Sequence, residues 1–354
     1  MKNIMNKLAI SDLVRPNIRA LKPYTCARDL YQKGVLLDAN ENPFGSVVTL
    51  PEDNNLNRYP DPYSKVLKRA LAKFLKLTAK NIFVGVGSDE VIDLLMRIFV
   101  DQDEEIIIFE PTYGMYRVAA EINGIFAKTC FLTEDFELDL EAFYITATAR
   151  TKMVFCCSPN SPTGNLLSLE DIEDLCLIFR GIVVVDEAYI EFSSSESIVE
   201  KIKQFPNLVV TRTFSKAWGL AGLRVGYAVA NEEIIDYLNK VKPPYNLNRI
   251  SALMATKALK QEKKLWRMRN RIVKERDFLQ QNLEKLGLKV LPSEANFLLV
   301  KVPNASEIVK TLAEKFGVIV RDFSSKPLLS DSFRVTVGTR KENNIFIQSL
   351  TKLL

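Results

Sequence analysis

Residues 181–192, GIVVVDEAYIEF, run four β-branched residues straight into an aspartate, Asp186. A short apolar, β-branched run bounded by turn-type residues reads as a strand. Upstream, SLEDIEDLCLIF (168–179) has helical spacing and opens with Ser168 and Asp171 at capping-box separation. Before it, KMVFCCSPNSPTG (152–164) is a buried strand ending in a turn rich in Pro, Asn and Gly. Downstream, SIVEKIKQF (197–205) reads as a helix, and NLVVTRTFSK (207–216) as the strand that delivers Lys216. Closer to the N-terminus, NIFVGVG (81–87) is a strand and turn, with the helix SDEVIDLLMRIFV (88–100) behind it and Ser88 or Asp89 available as N-cap. EEIIIFEP (104–111) and YGMYRVAAEIN (113–123) form the next such pair.

Strands and amphipathic helices in alternation, from about 60 to 230, predict an α/β unit around a mainly parallel sheet. Asn160, Asp186, Lys216, Gly87 and Ser88 then fall just past strand ends, the edge where open α/β sheets bind ligands. After Arg249 the pattern becomes one long helix ending near Leu286, followed by shorter mixed elements. We expect a large domain over 50–250 and a smaller α+β domain from 1–49 with 251–354.

Composition narrows the chemistry. Hydrophobic residues at 47% and charged residues at 26% fit a globular chain, and no apolar run is long enough to span a bilayer. MKNIMNKLAISDLVRP interrupts its apolar residues with charge too often for a signal peptide, so a cytoplasmic location is expected, with no membrane partner. Five cysteines without CxxC spacing indicate neither a disulfide framework nor a zinc site, and they read as core residues. The densest basic stretch, KKLWRMRNRIVKER (263–276), has helical spacing and reads as a solvated helix face rather than a nucleic-acid surface. The chain holds no histidine. Proton transfer therefore falls to lysine, tyrosine, cysteine and carboxylates, and every histidine-based triad or metal site is excluded.

Three chemistries could use the strand-end residues. GVGSDE lacks the third glycine of a dinucleotide fingerprint, and IVVVDEA lacks the phosphate-binding loop that would accompany a magnesium aspartate. Pyridoxal phosphate (PLP) needs an amine, an acid at its ring nitrogen and a phosphate cradle. Lys216 supplies the amine, activated by desolvation and the nearby Arg224, and Asp186 the acid. Backbone N–H groups near Gly87, Ser88 and Asp89 suit the phosphate, together with Thr213, Ser215 and Arg224.

TFSKAWGLAG (213–222) resembles the lysine motif of the class II aminotransferases. LDANENPFG, NRYPDP, SPNSPTG and VKPPYNLN, with GVIVRDF and FRVTVGT, are similar to the histidinol-phosphate branch of that family. The likeness runs from Tyr24 to Arg334, with Trp218 where phenylalanine is more usual and Ser161 where a second asparagine is common. It implies a fold-type-I PLP transferase, with Lys216, Asp186 and Tyr189 catalytic. Tyr113 would stack on the cofactor ring, and Asn160 and Tyr189 would bond its phenolic oxygen. Tyr59 would reach the cofactor phosphate of a second subunit, which implies a homodimer. Tyr24, Asn160, Arg321 and Arg334 would contact the substrate. Taken singly, Tyr113 and Tyr189 read as core aromatics and the two arginines as strand-surface residues.

The activity implied is amino transfer between L-histidinol phosphate and 2-oxoglutarate by a ping-pong mechanism in histidine biosynthesis. An aromatic amino-acid aminotransferase shares these motifs, and a phospho-amino-acid decarboxylase is a more distant relative. A PLP-binding transcription regulator would need an added DNA-binding domain.

Overall fold

The computed structural model describes residues 33–38, 40–45, 47–48 and 59–354. Its main sheet has seven strands in the order β2-β8-β7-β6-β5-β3-β4. These are β2 (Ile82–Val86), β3 (Glu105–Glu110), β4 (Phe126–Phe131), β5 (Thr151–Cys157), β6 (Ile182–Asp186), β7 (Leu208–Thr213) and β8 (Val225–Ala230). Adjacent strands from β7 to β4 pair in parallel, whereas β8 is antiparallel to both β7 and β2. The expected α/β architecture is what the chain adopts.

Side-chain alternation along these strands splits the interior in two. Val154, Cys156, Val183, Val185, Leu208 and Val210 face one core, while Met153, Phe155, Cys157, Val184 and Val209 face another. The first core is closed by helices α1 (Lys65–Leu75), α5 (Leu169–Ile178), α7 (Arg249–Leu259) and α8 (Glu262–Lys285). The second is closed by α2 (Gly87–Phe99), α3 (Met115–Asn123) and α6 (Glu232–Val241). A shorter helix, α4 (Leu140–Thr146), follows β4. The central strands are thus buried on both faces, which is why their sequences are continuous apolar runs. Cys130, Cys156, Cys157 and Cys176 are buried in these cores, and Cys26 lies outside the described residues.

A second sheet has the order β12-β13-β10-β9, from β9 (Lys289–Val290), β10 (Phe297–Lys301), β12 (Arg321–Asp322) and β13 (Ser332–Thr336). Around it lie α9 (Ala305–Phe316) and α10 (Arg340–Thr351). The N-terminal strand β1 (Val35–Leu36) joins this end of the molecule by parallel pairing with β11 (Val318–Ile319).

Four local expectations differ from the structure. Helix α2 begins at Gly87 with Val86 as its N-cap, so Ser88 and Asp89 lie in its first turn and do not cap it. The segment 197–205 holds one 3-10 turn, Ile198–Lys201, because Ser197 and Ile198 bond to the buried Glu187. The long helix after Arg249 is two helices, broken at Lys260–Gln261. The basic face of α8 is partly internal: Arg269 donates to the carbonyls of Glu191, Phe192 and Ser193, and Arg276 to that of Ala295.

One backbone crossing positions the site. Gly226 in β8 lies against the turn from β2 into α2, where a Cβ would collide with the Ser88 nitrogen and the Gly87 carbonyl carbon. Neither is a flexible side-chain end. Gly226→Ala should therefore lower the urea midpoint by the equivalent of about 1–3 kcal/mol with little change in m-value.

Candidate active site

The C-terminal edge of the main sheet gathers the sequence-predicted residues. Gly87 follows β2, Tyr113 follows β3, Asp186 ends β6 and Lys216 lies just beyond β7. Because β8 runs opposite, its beginning lies at this same edge, and it brings Arg224 there. A cavity of about 230 Å³ is lined by Ser88, Asp89, Tyr113, Asp186, Tyr189, Thr213, Ser215, Lys216 and Arg224, together with Glu41, Cys157, Ser161, Ala188 and Ala221.

Its floor is Asp186, which is 3% exposed. Tyr116 donates its hydroxyl to Asp186 Oδ2 at 2.8 Å, whereas Oδ1 is buried without a hydrogen-bond partner. Burial, helped by the charge of Asp89, pushes the Asp186 carboxyl up to about 6, against the downward pull of the Tyr116 hydroxyl and of the nearby Thr211 hydroxyl and Ala188 N–H. Such a carboxylate is costly unless it meets a cation or donor.

The opposite end is cationic and rich in donors. Gly87 has φ +74°, and a Cβ there would lie 2.7 Å from Arg224 Nη2. Its backbone N–H donates to the Arg224 carbonyl at 3.0 Å, which fixes the turn. Arg224 Nη2 also donates to Asp89 Oδ2 at 2.9 Å, and Tyr113 donates to Asp89 Oδ1 at 3.2 Å. The first N–H groups of α2, with no side-chain cap from Val86, stand next to this arginine. Thr213 and Ser215 share a hydroxyl–hydroxyl hydrogen bond of 2.9 Å beside them. Lys216 Nζ lies 5.6 Å from the centre of the Tyr189 ring, between the two ends.

The remaining residues are placed less uniformly. Tyr189 Oη accepts from Asn40 Nδ2 at 3.0 Å, leaving its own proton to donate. Asn160 is turned inward: its Nδ2 donates to the Pro111 carbonyl and to Thr163, and its Oδ1 accepts from Thr112. Arg321 and Arg334 are direct partners across β12 and β13. Arg334 donates to Ser161 Oγ at 2.9 Å and to the Asp38 carbonyl at 3.0 Å, flanked by the rings of Phe297 and Phe323. Tyr59 is 78% exposed and stacked on Tyr245, away from the cavity of its own chain. Tyr24 lies outside the described residues.

Sequence reasoning missed Tyr116, Glu41 and Ser161. Tyr116 sits at an ordinary core position of α3, and nothing local marks its reach to Asp186. Ser161 had a faint signal as the atypical residue in SPNSPTG.

The chain as a whole has relatives among known proteins. Residues 32–350 match the family described as aminotransferase class I and II, and the chain belongs to that family. Similar relatives include the histidinol-phosphate aminotransferases of Cytophaga hutchinsonii and Bacteroides thetaiotaomicron. Each is 43% identical over 97% of this chain and 98% of its own length. The histidinol-phosphate aminotransferase of Sinorhizobium meliloti, solved in complex with pyridoxal-5'-phosphate, has the same fold: TM-score 0.86 at 24% identity, covering 96% of this chain and 98% of that one. That of Clostridium acetobutylicum gives a TM-score of 0.81 at 26% identity, over 90% of this chain and 98% of its own. The chain is an aminotransferase with the α/β fold of that family.

The buried carboxyl of Asp186 sets a pH dependence in the cofactor-free chain. Between the ordinary value of 3.8 and about 6 the folded state binds more protons than the unfolded state, so this residue's stabilising contribution is lost as pH rises through that window. Cofactor-free Asp186→Asn should be more stable than the parent at pH 8, by about 2–3 kcal/mol, with the advantage vanishing near pH 4. Urea denaturation of both proteins at the two pH values measures it.

Proposed function

We propose that this aminotransferase uses PLP to exchange an amino group between L-histidinol phosphate and 2-oxoglutarate, by a ping-pong mechanism, as a cytoplasmic homodimer. The observation that carries the cofactor reading is one cavity with a buried, half-bonded carboxylate at one end, an anion cradle at the other, and Lys216 between. Asp186 Oδ1 suits a protonated ring nitrogen. The N–H groups at Ser88 and Asp89, the hydroxyls of Thr213 and Ser215, and Arg224 suit a phosphate, which would take over the role of Asp89 beside that arginine.

Bound there, PLP would supply an aldehyde that captures amines and a ring that takes up electrons when the substrate α-carbon loses its proton. Lys216 would be the amine that holds the aldehyde and would move the proton of the substrate α-carbon. Asp186 would keep the ring nitrogen protonated, and Tyr113 would pack against the ring. Tyr189 is the better-placed donor to the phenolic oxygen, because Asn160 has its carboxamide committed elsewhere.

The substrate reading rests on the second sheet and on the names of the 43%-identical relatives. Like charges directly opposite on neighbouring strands repel, and an anion between Arg321 and Arg334 removes that cost. Arg334 can grip either a carboxylate or a phosphate through its planar fork, and Arg321 adds charge for the more negative phosphate. Tyr24 would complete this anion site. On this reading the large domain spans 50–250 and the small domain 1–49 with 251–354.

Single-turnover rates for histidinol phosphate, glutamate, phenylalanine and tyrosine test the substrate. Histidinol phosphate should react fastest among the amines, and faster turnover of phenylalanine or tyrosine would favour the aromatic alternative. Arg334→Ala should slow both half-reactions at least tenfold. Arg321→Ala should slow the histidinol phosphate half-reaction clearly more than the glutamate one.

Tyr59 stacks on Tyr245 from a separate loop, and the pair is exposed, which suits a reach into a second subunit. Mixing inactive Tyr59→Ala with inactive Lys216→Ala should restore one site per heterodimer. No recovery after verified subunit exchange would place Tyr59 in its own subunit's site or in none.

A further inference from the structure

Tyr116 is fully buried, and its hydroxyl touches the one carboxylate that the cavity leaves half-bonded. Its ring is held on two sides, stacked on Phe155 at 4.7 Å and edge-on to Tyr113 at 5.5 Å. The hydroxyl therefore cannot swing away without breaking core contacts. A carboxylate with both oxygens unpaired could rotate about its terminal torsion or take up a proton, and either change would blunt its grip on a ring nitrogen. With Oδ2 fixed by Tyr116, Oδ1 is the oxygen left for the cavity.

We propose that Tyr116 is a positioning residue for the cofactor ring, acting through Asp186: it ties down Oδ2 so that Oδ1 meets the protonated ring nitrogen. This inference rests on the PLP reading above. It extends the cofactor site to a residue of α3 that does not line the cavity. In a chain without histidine, a tyrosine performs this second contact to the aspartate.

The test compares two ligands in the same protein: PLP, and its carbocyclic analogue with C–H in place of the ring nitrogen. Affinities are measured by fluorescence titration of apoenzyme. A hydrogen bond to a charged group corresponds to about 10- to 100-fold in an equilibrium constant. Tyr116→Phe should weaken PLP by about that factor while changing the affinity for the analogue less than about twofold. In an Asp186→Asn background, adding Tyr116→Phe should weaken PLP no further.

Equal losses for PLP and analogue would make Tyr116 a packing residue and overturn the inference. So would an unchanged PLP affinity, or a further loss in the double variant. Failure of the parent apoenzyme to take up PLP would overturn the reading of the cavity itself, a separate result. Because the readout is a ratio within one folded protein, a general loss of stability in Tyr116→Phe lowers both affinities together and is told apart from loss of the hydroxyl, and urea denaturation of the variant confirms that it is folded.

Discussion

A buried carboxylate closing a central strand is the constraint around which this site is arranged. Asp186 cannot be solvated, so its neighbours supply what water would have supplied, and only in part. Tyr116 bonds one oxygen and packs against Tyr113. Tyr113 bonds Asp89, and Asp89 holds Arg224. Asp186 and Arg224, proposed for the two ends of the cofactor, are thus linked through a continuous run of contacts.

The opposite face of the same strand ends is fixed by a different device. Glu187, one residue beyond Asp186, points the other way and pairs with Arg212 of β7 at 2.8 Å, both side chains being buried. Ser197 bridges them, donating to Glu187 and accepting from Arg212. A buried ion pair is weak evidence for net stability, but breaking one costs about 3–5 kcal/mol, so the geometry it sets is strongly held. Here it fixes the spacing of β6 and β7, the strands that deliver Asp186 and Lys216. Nearby Glu191 is also fully buried, and its carboxyl is pushed up to about 7 by loss of solvent.

What could be read from the sequence follows the range of the interaction. Strand ends are local: IVVVD, VVTRTFSK and VGVGSD each show an apolar run stopping at a polar residue, so Asp186, Lys216 and the Gly87–Asp89 turn were legible. Tyr116 was not, because its position on α3 reads as core and its partner is 70 residues away. The short turn at Ile198–Lys201 was misread as a full helix for a similar reason. Its first residues are claimed by Glu187, a distant commitment that no helical periodicity reveals. The basic stretch of α8 looked like a solvated face, yet Arg269 and Arg276 hold carbonyls of neighbouring loops. Charge patterning shows where cations are and not which buried acceptors they satisfy.

The two sheets meet through polar contacts at the mouth of the cavity, and this has a consequence for substrate binding. Arg334 reaches from β13 to Ser161 beyond β5, Asn40 bonds Tyr189 beyond β6, and Glu294 donates its backbone N–H to the Gly164 carbonyl at 2.7 Å. If Arg334 binds the substrate anion as proposed, that anion would compete with Ser161 for Nη1, and the guanidinium is already oriented by a neutral acceptor. Exchanging a hydroxyl for a carboxylate or phosphate would strengthen that hydrogen bond without reorganising the arginine, whose guanidinium lies by the Phe297 and Phe323 rings. On the proposed reading, Ser161 would hold the place that the substrate anion takes.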